Sequence, residues 1–329
     1  MNIIVDAMGG DFAPLEIVKG CALATSELGV EVTLVGKEKT INECIKENNI
    51  DIKNYSVIDC DDVITMQEHP DSILKEHKDC SMAAGLKLLN EGKGDAFISA
   101  GNTGALVVGA TLFVKRIKGV KRAALAPLLP TNTDKDVLLL DSGANVECSA
   151  EMLKQFAVLG NEYVKGVLNI AQPRIGLLNV GTEDSKGGSV QKEAFGLLKE
   201  LDINFIGNIE ARDVLPGVCD VCVADGFSGN IFLKASEGAC MVMLKNIKRI
   251  LKRNIISKLA ALPLMGGLKQ FAKKMDYTER GGAPLLGISK PVIKAHGNSN
   301  AKSFYGAIKQ AVNFAQSNTI ENITNFLKG

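Results

Sequence analysis

Five times in this chain a short apolar run ends in a polar, glycine-bearing corner and gives way to a helical pattern. The corners are Val5–Asp11, Ser99–Gly104, Leu140–Asn145, Asn179–Asp184 and Ala224–Asn230. Strand and helix alternating in this way means βαβ units, whose right-handed crossovers build a mainly parallel sheet with helices on both faces. The expected fold is therefore a three-layer α/β/α arrangement. In an open parallel sheet the loops after the strands share the carboxyl edge, where ligands bind. Five corners on one edge predict one shared site.

The corner at Ser99–Gly104 lies between a strand-length run, Ala96–Ile98, and a helical one, Leu106–Phe113. Gly101 and Gly104 let the backbone approach a ligand closely, while Ser99, Asn102 and Thr103 add short hydrogen-bonding side chains without charge. A helix start of this kind favours phosphate or a developing oxyanion. An ordinary glycine-rich turn with Asn102 or Thr103 as N-cap accounts for the same residues. Neither the P-loop nor the G-x-G-x-x-G pattern is present.

At 329 residues the chain can bury a large core, as one large α/β domain or as two lobes, and one domain over 1–329 is expected. A net charge of +1, with 5% aromatic residues and no Trp, argues against a nucleic-acid binder. The eight cysteines fall mostly inside apolar runs, as reduced core thiols do. Cys219-Asp-Val-Cys222 enters a strand rather than opening a helix, so core packing is expected of it instead of redox or zinc chemistry. The first dozen residues carry Asp6 and Asp11 and no basic stretch, and no apolar run is long enough to cross a bilayer. A cytoplasmic protein is expected.

Along the chain, strands are expected at Asn2–Val5, Glu31–Gly36, Ser56–Ile58, Val137–Leu140, Ile175–Val180, Phe205–Ile206 and Val221–Ala224. A hairpin-like pair follows at Leu285–Ile288 and Val292–Ala295. Pro14 is placed at the first position of a helix. Residues Asp61–Cys80, with His69-Pro70 and His77, interrupt the rhythm as a polar excursion, either a lid or a plain connector. Between about 238 and 276 no acidic residue occurs before Asp276, while Lys245, Lys248, Arg249, Lys252, Arg253, Lys258, Lys269, Lys273 and Lys274 do. Leu259, Leu262, Leu264, Met265, Leu268 and Phe271 interleave with them, broken by Pro263 and Gly266-Gly267. This basic amphipathic excursion resembles a helical hairpin that offers its apolar tip to an anionic membrane surface or to an acidic protein. A core or dimerisation helix with a solvated basic face explains its first part, to about Arg253, equally well.

The sheet edge collects Asp6, Asp11, Asn102, Thr103, Asp141, Asn145, Thr182, Glu183, Asp184, Lys186, Asp225, Ser228, Asn230 and His296. No nucleophile elbow or Cys-His signature accompanies them, which argues against a covalent acyl-enzyme. Backbone amides with Asn, Ser and Thr suit an oxyanion and a phosphate. The carboxylates are spread over separate loops without metal-ligand spacing, so no metal and no cofactor is expected.

Eight segments then occur in one order: DAMGGD, SAGNTGAL, LLLDSGAN, GLLNVGTE, GNIEARD, DGFSGN, GAPLLG and KAHGNS. Together they resemble the PlsX family, the bacterial phosphate acyltransferases of phospholipid synthesis, over the whole chain. Ser228 stands where Thr is also familiar. The resemblance implies transfer of a long-chain acyl group from acyl carrier protein to inorganic phosphate, giving an acyl phosphate that a membrane glycerol-3-phosphate acyltransferase uses. It implies a homodimer, cytoplasmic with peripheral membrane association, and a fold similar to phosphotransacetylases and to isocitrate and isopropylmalate dehydrogenases. On that reading phosphate attacks the thioester directly. Ser99, Gly101, Asn102, Thr103 and Gly104, with Asp141, Asn145, Thr182, Asp225, Ser228, Gly229 and Asn230, form the phosphate and oxyanion corners. Lys186 offsets charge, and His296 protonates the thiolate or orients the site. Lys252, Arg253, Lys258 and the apolar tip contact membrane or carrier protein. A transacylase using acyl-coenzyme A would share the same loops.

Overall fold

The computed structural model describes residues 1–275 and 280–328. Two sheets organise it. The larger is built from β1 (Asn2–Asp6), β2 (Glu31–Gly36), β3 (Tyr55–Asp59), β4 (Ala96–Ser99), β5 (Ala124–Leu125), and the hairpin strands β11 (Gly282–Leu286) and β12 (Val292–Ala295), in the order β3-β2-β1-β4-β12-β11-β5. The smaller holds β6 (Leu128–Pro130), β7 (Asp136–Leu140), β8 (Ile175–Asn179), β9 (Phe205–Glu210) and β10 (Val221–Val223), in the order β6-β7-β10-β8-β9. Pairing is parallel except for β11 with its two neighbours and for β6 with β7.

Period-two alternation sorts the strand side chains into separate cores. Ile3 and Val5 join a central cluster that also takes in Leu138 and Leu140, whereas Ile4 faces a second cluster with Phe97. Val137 and Leu139 face a third, with Cys219, Cys222 and Leu233. The central cluster is thus common to both sheets. It is filled by α1 (Leu15–Glu27), α5 (Ala150–Leu168), α6 (Ser189–Lys199), α11 (Ala301–Gln316) and α12 (Thr319–Phe326). Phe156, Tyr163 and Phe304 are fully buried there. The outer face of the larger sheet carries α3 (Ser81–Asn90) and α4 (Thr103–Gly109), which runs on as a π-helical turn, Ala110–Val114. Both cysteines of the C-x-x-C are buried, as core packing requires.

The expected single edge is corrected by this partition. The corners after β1 and β4 belong to the larger sheet, and those after β7, β8 and β10 to the smaller, because one local strand-corner-helix pattern serves either sheet equally well. Pro14 is the N-cap of α1 rather than its first residue. The chain first passes from the larger sheet to the smaller in one extended stretch, β5 to β6, and later returns from β10 to β11. Ala126 donates its N–H to Pro284 on β11, and the carbonyl of the next residue, Pro127, accepts from Leu139 on β7.

The basic excursion begins earlier than the sequence pattern indicates. A continuous helix, α8 (Gly226–Leu251), starts at the Asp225 corner itself and runs through the first basic residues. Beyond it come α9 (Ile255–Ala261), a short 3₁₀ turn (Leu262–Leu264) and α10 (Met265–Met275). Leu262, Leu264, Met265 and Phe271 are exposed, as are Lys252, Arg253 and Lys258, while Leu268 is half-buried. The side chain of Leu259 lies outside the described residues.

Candidate functional site

Asp6, at the end of β1, is buried and organises the first two corners. Its Oδ2 accepts the Ser99 hydroxyl at 2.6 Å and its Oδ1 the Ser81 hydroxyl at 2.7 Å. Ser99 in turn accepts the Gly101 N–H at 3.0 Å. Burial pushes the Asp6 carboxyl above its ordinary pKa, against the hydroxyls that stabilise its charge. Ser99 is fully buried and committed to this network. Any side chain at Gly9 would place a Cβ 2.7 Å from the Gly101 nitrogen, which is how the two corners come into contact.

Asp141, at the end of β7, does the same for the smaller sheet. Fully buried, it accepts from the backbone N–H of Leu125 (2.9 Å), Ala144 (3.1 Å) and Asn145 (2.7 Å), and from the Asn145 side chain (3.0 Å). Burial raises its pKa as well. Asn145 also donates to the Ala123 carbonyl at 2.8 Å. Asp225 is the N-cap of α8, accepting from Ser228 N at 2.8 Å and from the Ser228 hydroxyl at 3.0 Å. Its helix is pressed onto the Asp141 loop, since a Cβ on Gly229 would lie 1.9 Å from the Asp141 carbonyl oxygen. Asn230 donates to the Ser142 carbonyl at 2.9 Å, fixing α8 over β7.

Between the sheets opens a cavity of about 360 Å³. Part of its lining is apolar: Leu125, Pro127, Leu128 and Leu129 from the crossing stretch, with Leu233 of α8 and Met66. Among these lie Thr103, Ser142, Asn230 and a set of charged or titratable residues, Lys234, Glu237, Arg280, Lys294 and His296. Lys234 pairs with Glu237 at 2.9 Å, and Arg280 with Asp136 at 2.8 Å. His296 Nε2 is 3.9 Å from Glu237 Oε1. Burial, followed by the positive charge of Lys234, lowers the His296 pKa, so its imidazole is mostly uncharged at neutral pH. The Lys294 pKa falls to about 8, chiefly through burial.

Residues 61–80 are folded down against this site. Asn102 caps α4 by accepting from Ala105 N at 3.0 Å, and its amide donates to the carbonyls of Glu68 (2.9 Å), Thr65 (3.2 Å) and Met66 (3.4 Å). Gly104 leaves room for Pro70, whose ring carbon would be 2.5 Å from a Cβ there. His77 sits between two carboxylates, with Nδ1 3.0 Å from Asp62 and Nε2 2.7 Å from Glu68. These contacts, Asp62 first, raise its pKa above the ordinary 6.5. A raised folded-state pKa means that its contribution is complete below about 6.5 and is lost as pH rises through the higher folded value. His77→Gln is therefore expected to reduce amide-exchange protection of residues 62–77 at pH 6 and to have no effect at pH 9. Equal loss at both pH values would show that the charge of His77 plays no part.

Among the sequence-predicted residues, Thr103, Asn230 and His296 reach the cavity wall. Ser99, Gly101, Asn102, Gly104, Asp141, Asn145, Asp225, Ser228 and Gly229 build the corners behind it. Thr182 and Lys186 stand apart, exposed on the loop after β8, with Lys186 3.7 Å from Glu183. The sequence reading missed Lys234, Glu237, Arg280 and Lys294. Lys234 and Glu237 lie four and seven residues after Asn230, on the same helix face, and that spacing could have found them. Lys294 interrupts an otherwise apolar strand, Val292-Ile293-Lys294-Ala295, a second usable signal.

Residues 1–322 match the family described as fatty acid synthesis protein. The chain belongs to this family, the PlsX family. A family relative, the phosphate acyltransferase of Caldanaerobacter subterraneus subsp. tengcongensis, is 51% identical over 324 residues, covering 98% of this chain and 96% of its own. In fold the chain is similar to a phosphotransacetylase from Streptococcus pyogenes (TM-score 0.65, 19% identity, 96% and 94% of the two chains covered). It is also similar to a 4-hydroxythreonine-4-phosphate dehydrogenase from Burkholderia phymatum (TM-score 0.51, 15% identity, 95% and 97% covered). The PlsX chain thus shares the α/β fold of phosphotransacetylases and related dehydrogenases, as the sequence comparison implies.

Proposed function

We propose that this PlsX-family chain transfers a long-chain acyl group from acyl carrier protein to inorganic phosphate inside the cavity between the sheets. The observation that carries this reading is the cavity's mixed lining, which joins apolar Leu125, Pro127, Leu128, Leu129 and Leu233 to a polar set with Lys234, Glu237, Arg280, Lys294 and His296. An acyl thioester needs the first and a phosphate dianion the second. A phosphate oxygen attacks the thioester carbonyl, a C–O bond forms and the tetrahedral oxyanion collapses with cleavage of the C–S bond. The proton carried by hydrogen phosphate ends on the departing thiolate, giving acyl phosphate and free thiol. Phosphate is largely dianionic near neutral pH, so positioning and charge stabilisation supply most of the rate. Thr103 and Asn230 donate hydrogen bonds at the wall, and the uncharged imidazole of His296 orients the reactants instead of acting as a ready imidazolium acid.

The test is phosphate-dependent release of thiol from palmitoyl-acyl carrier protein, with acyl phosphate trapped by hydroxylamine against a control lacking phosphate. Release that does not require phosphate would overturn the reading, and a preference for palmitoyl-coenzyme A would reassign the donor.

The exposed Leu262, Leu264, Met265 and Phe271, on a segment that also carries exposed Lys252, Arg253 and Lys258, support contact with an anionic membrane where the acyl product is used. Among the described residues no helix is long and apolar enough to cross a membrane, so such contact would be peripheral. Vesicles containing phosphatidylglycerol are expected to float the protein at low salt and to lose it after Leu262→Glu with Phe271→Glu. Flotation indifferent to both changes would exclude this surface.

A further inference from the structure

Lys294 is 8% exposed and lies on β12, between β4 and β11 within the larger sheet. A buried ammonium ordinarily pairs with a carboxylate, because an isolated charge is costly to remove from water. Among the described residues, no carboxylate lies within ion-pair distance of its Nζ. Asp6, the buried acid that acts on it electrostatically, is already taken up by Ser81 and Ser99. The ammonium has three donors. Two go to backbone carbonyls, Ala100 at 3.2 Å just beyond the neighbouring strand β4, and Ala295, the next residue on β12 itself. The third remains, on a side chain that lines the cavity. Lys234 on α8 lines the same cavity and is near enough to repel Lys294. Two lysines lining one cavity, Lys234 paired with Glu237 and Lys294 buried without an ion-pair partner among the described residues, describe an anion site.

We infer that Lys294 Nζ, with Lys234 on α8, is the direct seat of the acceptor phosphate, completing its hydrogen bonds and its charge balance only when the dianion is bound. This rests on the phosphate-acceptor reading above, and it moves the phosphate from the Ser99–Gly104 corner to β12. The charged groups around Lys294 are Asp6 and Asp11 on the first corner, Lys234 and Glu237 on α8, and His296 two residues on. The His296 pKa, lowered from the ordinary 6.5 chiefly by burial, lies far below pH 8.5, whereas that of Lys294, about 8, lies beside it, so proton uptake at that pH reports on the lysine.

Lys294→Met is expected to raise the KM for phosphate at least about tenfold while leaving the KM for the acyl donor within about twofold. Lys294→Arg, which keeps the charge, should recover part of the loss. A merely structural tie to Ala100 would impair both substrates alike. Calorimetric titration of the wild-type protein with inorganic phosphate at pH 8.5, in two buffers of different ionisation enthalpy, should show net proton uptake, and it requires no variant to fold. An unchanged phosphate KM in Lys294→Met, or phosphate binding without proton uptake in the wild type, overturns the assignment. Phosphate binding with uptake but no phosphate-dependent thiol release would leave the seat intact and overturn the acyltransfer reading.

Discussion

Gly229→Ala is expected to destabilise the protein by about 3 kcal/mol, the upper part of the range for an overpacked contact, and to reduce turnover about a hundredfold. The methyl group would lie 1.9 Å from the Asp141 carbonyl oxygen, a backbone atom that cannot swing aside. The contact is held from both sides. Asp141 N donates to Ala224 O at 2.9 Å and Gly226 N to Asn145 O at 2.8 Å, so the loop and the start of α8 must move together or separate. Separation displaces Asn230 and Lys234 from Ser142 and Gly143, with which they line the cavity. Urea denaturation and steady-state turnover measure the two effects, and a variant with wild-type values in both would show that this junction is slack.

The second large effect concerns Asn102, one side chain with two duties. Asn102→Ala removes the cap of α4, worth about 1–2 kcal/mol, together with three hydrogen bonds to the 61–80 flap, and turnover should fall more than about tenfold. Asn102→Asp separates the duties, because a carboxylate still accepts from Ala105 but has no N–H for the carbonyls of Thr65, Met66 and Glu68. It is expected to keep the stability of the helix while residues 61–69 exchange their amides faster. If those residues exchange in Asn102→Asp as they do in the wild type, the asparagine is a cap and nothing more.

Much of the fold was legible because its strands are parallel and covered on both faces. Ile3-Ile4-Val5 and Val137 to Leu140 read as uniformly apolar runs for that reason, and helices such as α5 betray themselves by a stripe of Phe156, Leu159 and Tyr163. The division into two sheets was not legible, since nothing local to a corner records which neighbours its strand will pair with. β5 and β6 escaped because two or three residues cannot show a period. Small polar residues next to glycine marked the corners that follow β1, β4, β7, β8 and β10. Burial then decided which of them face the cavity, and burial is a property of the assembled molecule. Ser99 was singled out for its hydroxyl, yet that hydroxyl serves Asp6. Lys294 went unnoticed because strand position alone marks it as core, where a lysine is easily passed over.

The stretch from β5 to β6 carries one further consequence. Ala126 and Pro127 are bonded to different sheets, and Arg280, just ahead of β11, grips Asp136 of β7 across the same boundary. Neither sheet can therefore melt without breaking contacts of the other, and the chain should lose its structure in one cooperative transition. The residues that enforce this, Leu125 to Leu129, are also those against which an acyl chain would lie. Ligand occupancy and the cohesion of the two halves then become a single quantity. A donor present at a hundred times its dissociation constant would add about 2.7 kcal/mol to the stability of the whole molecule.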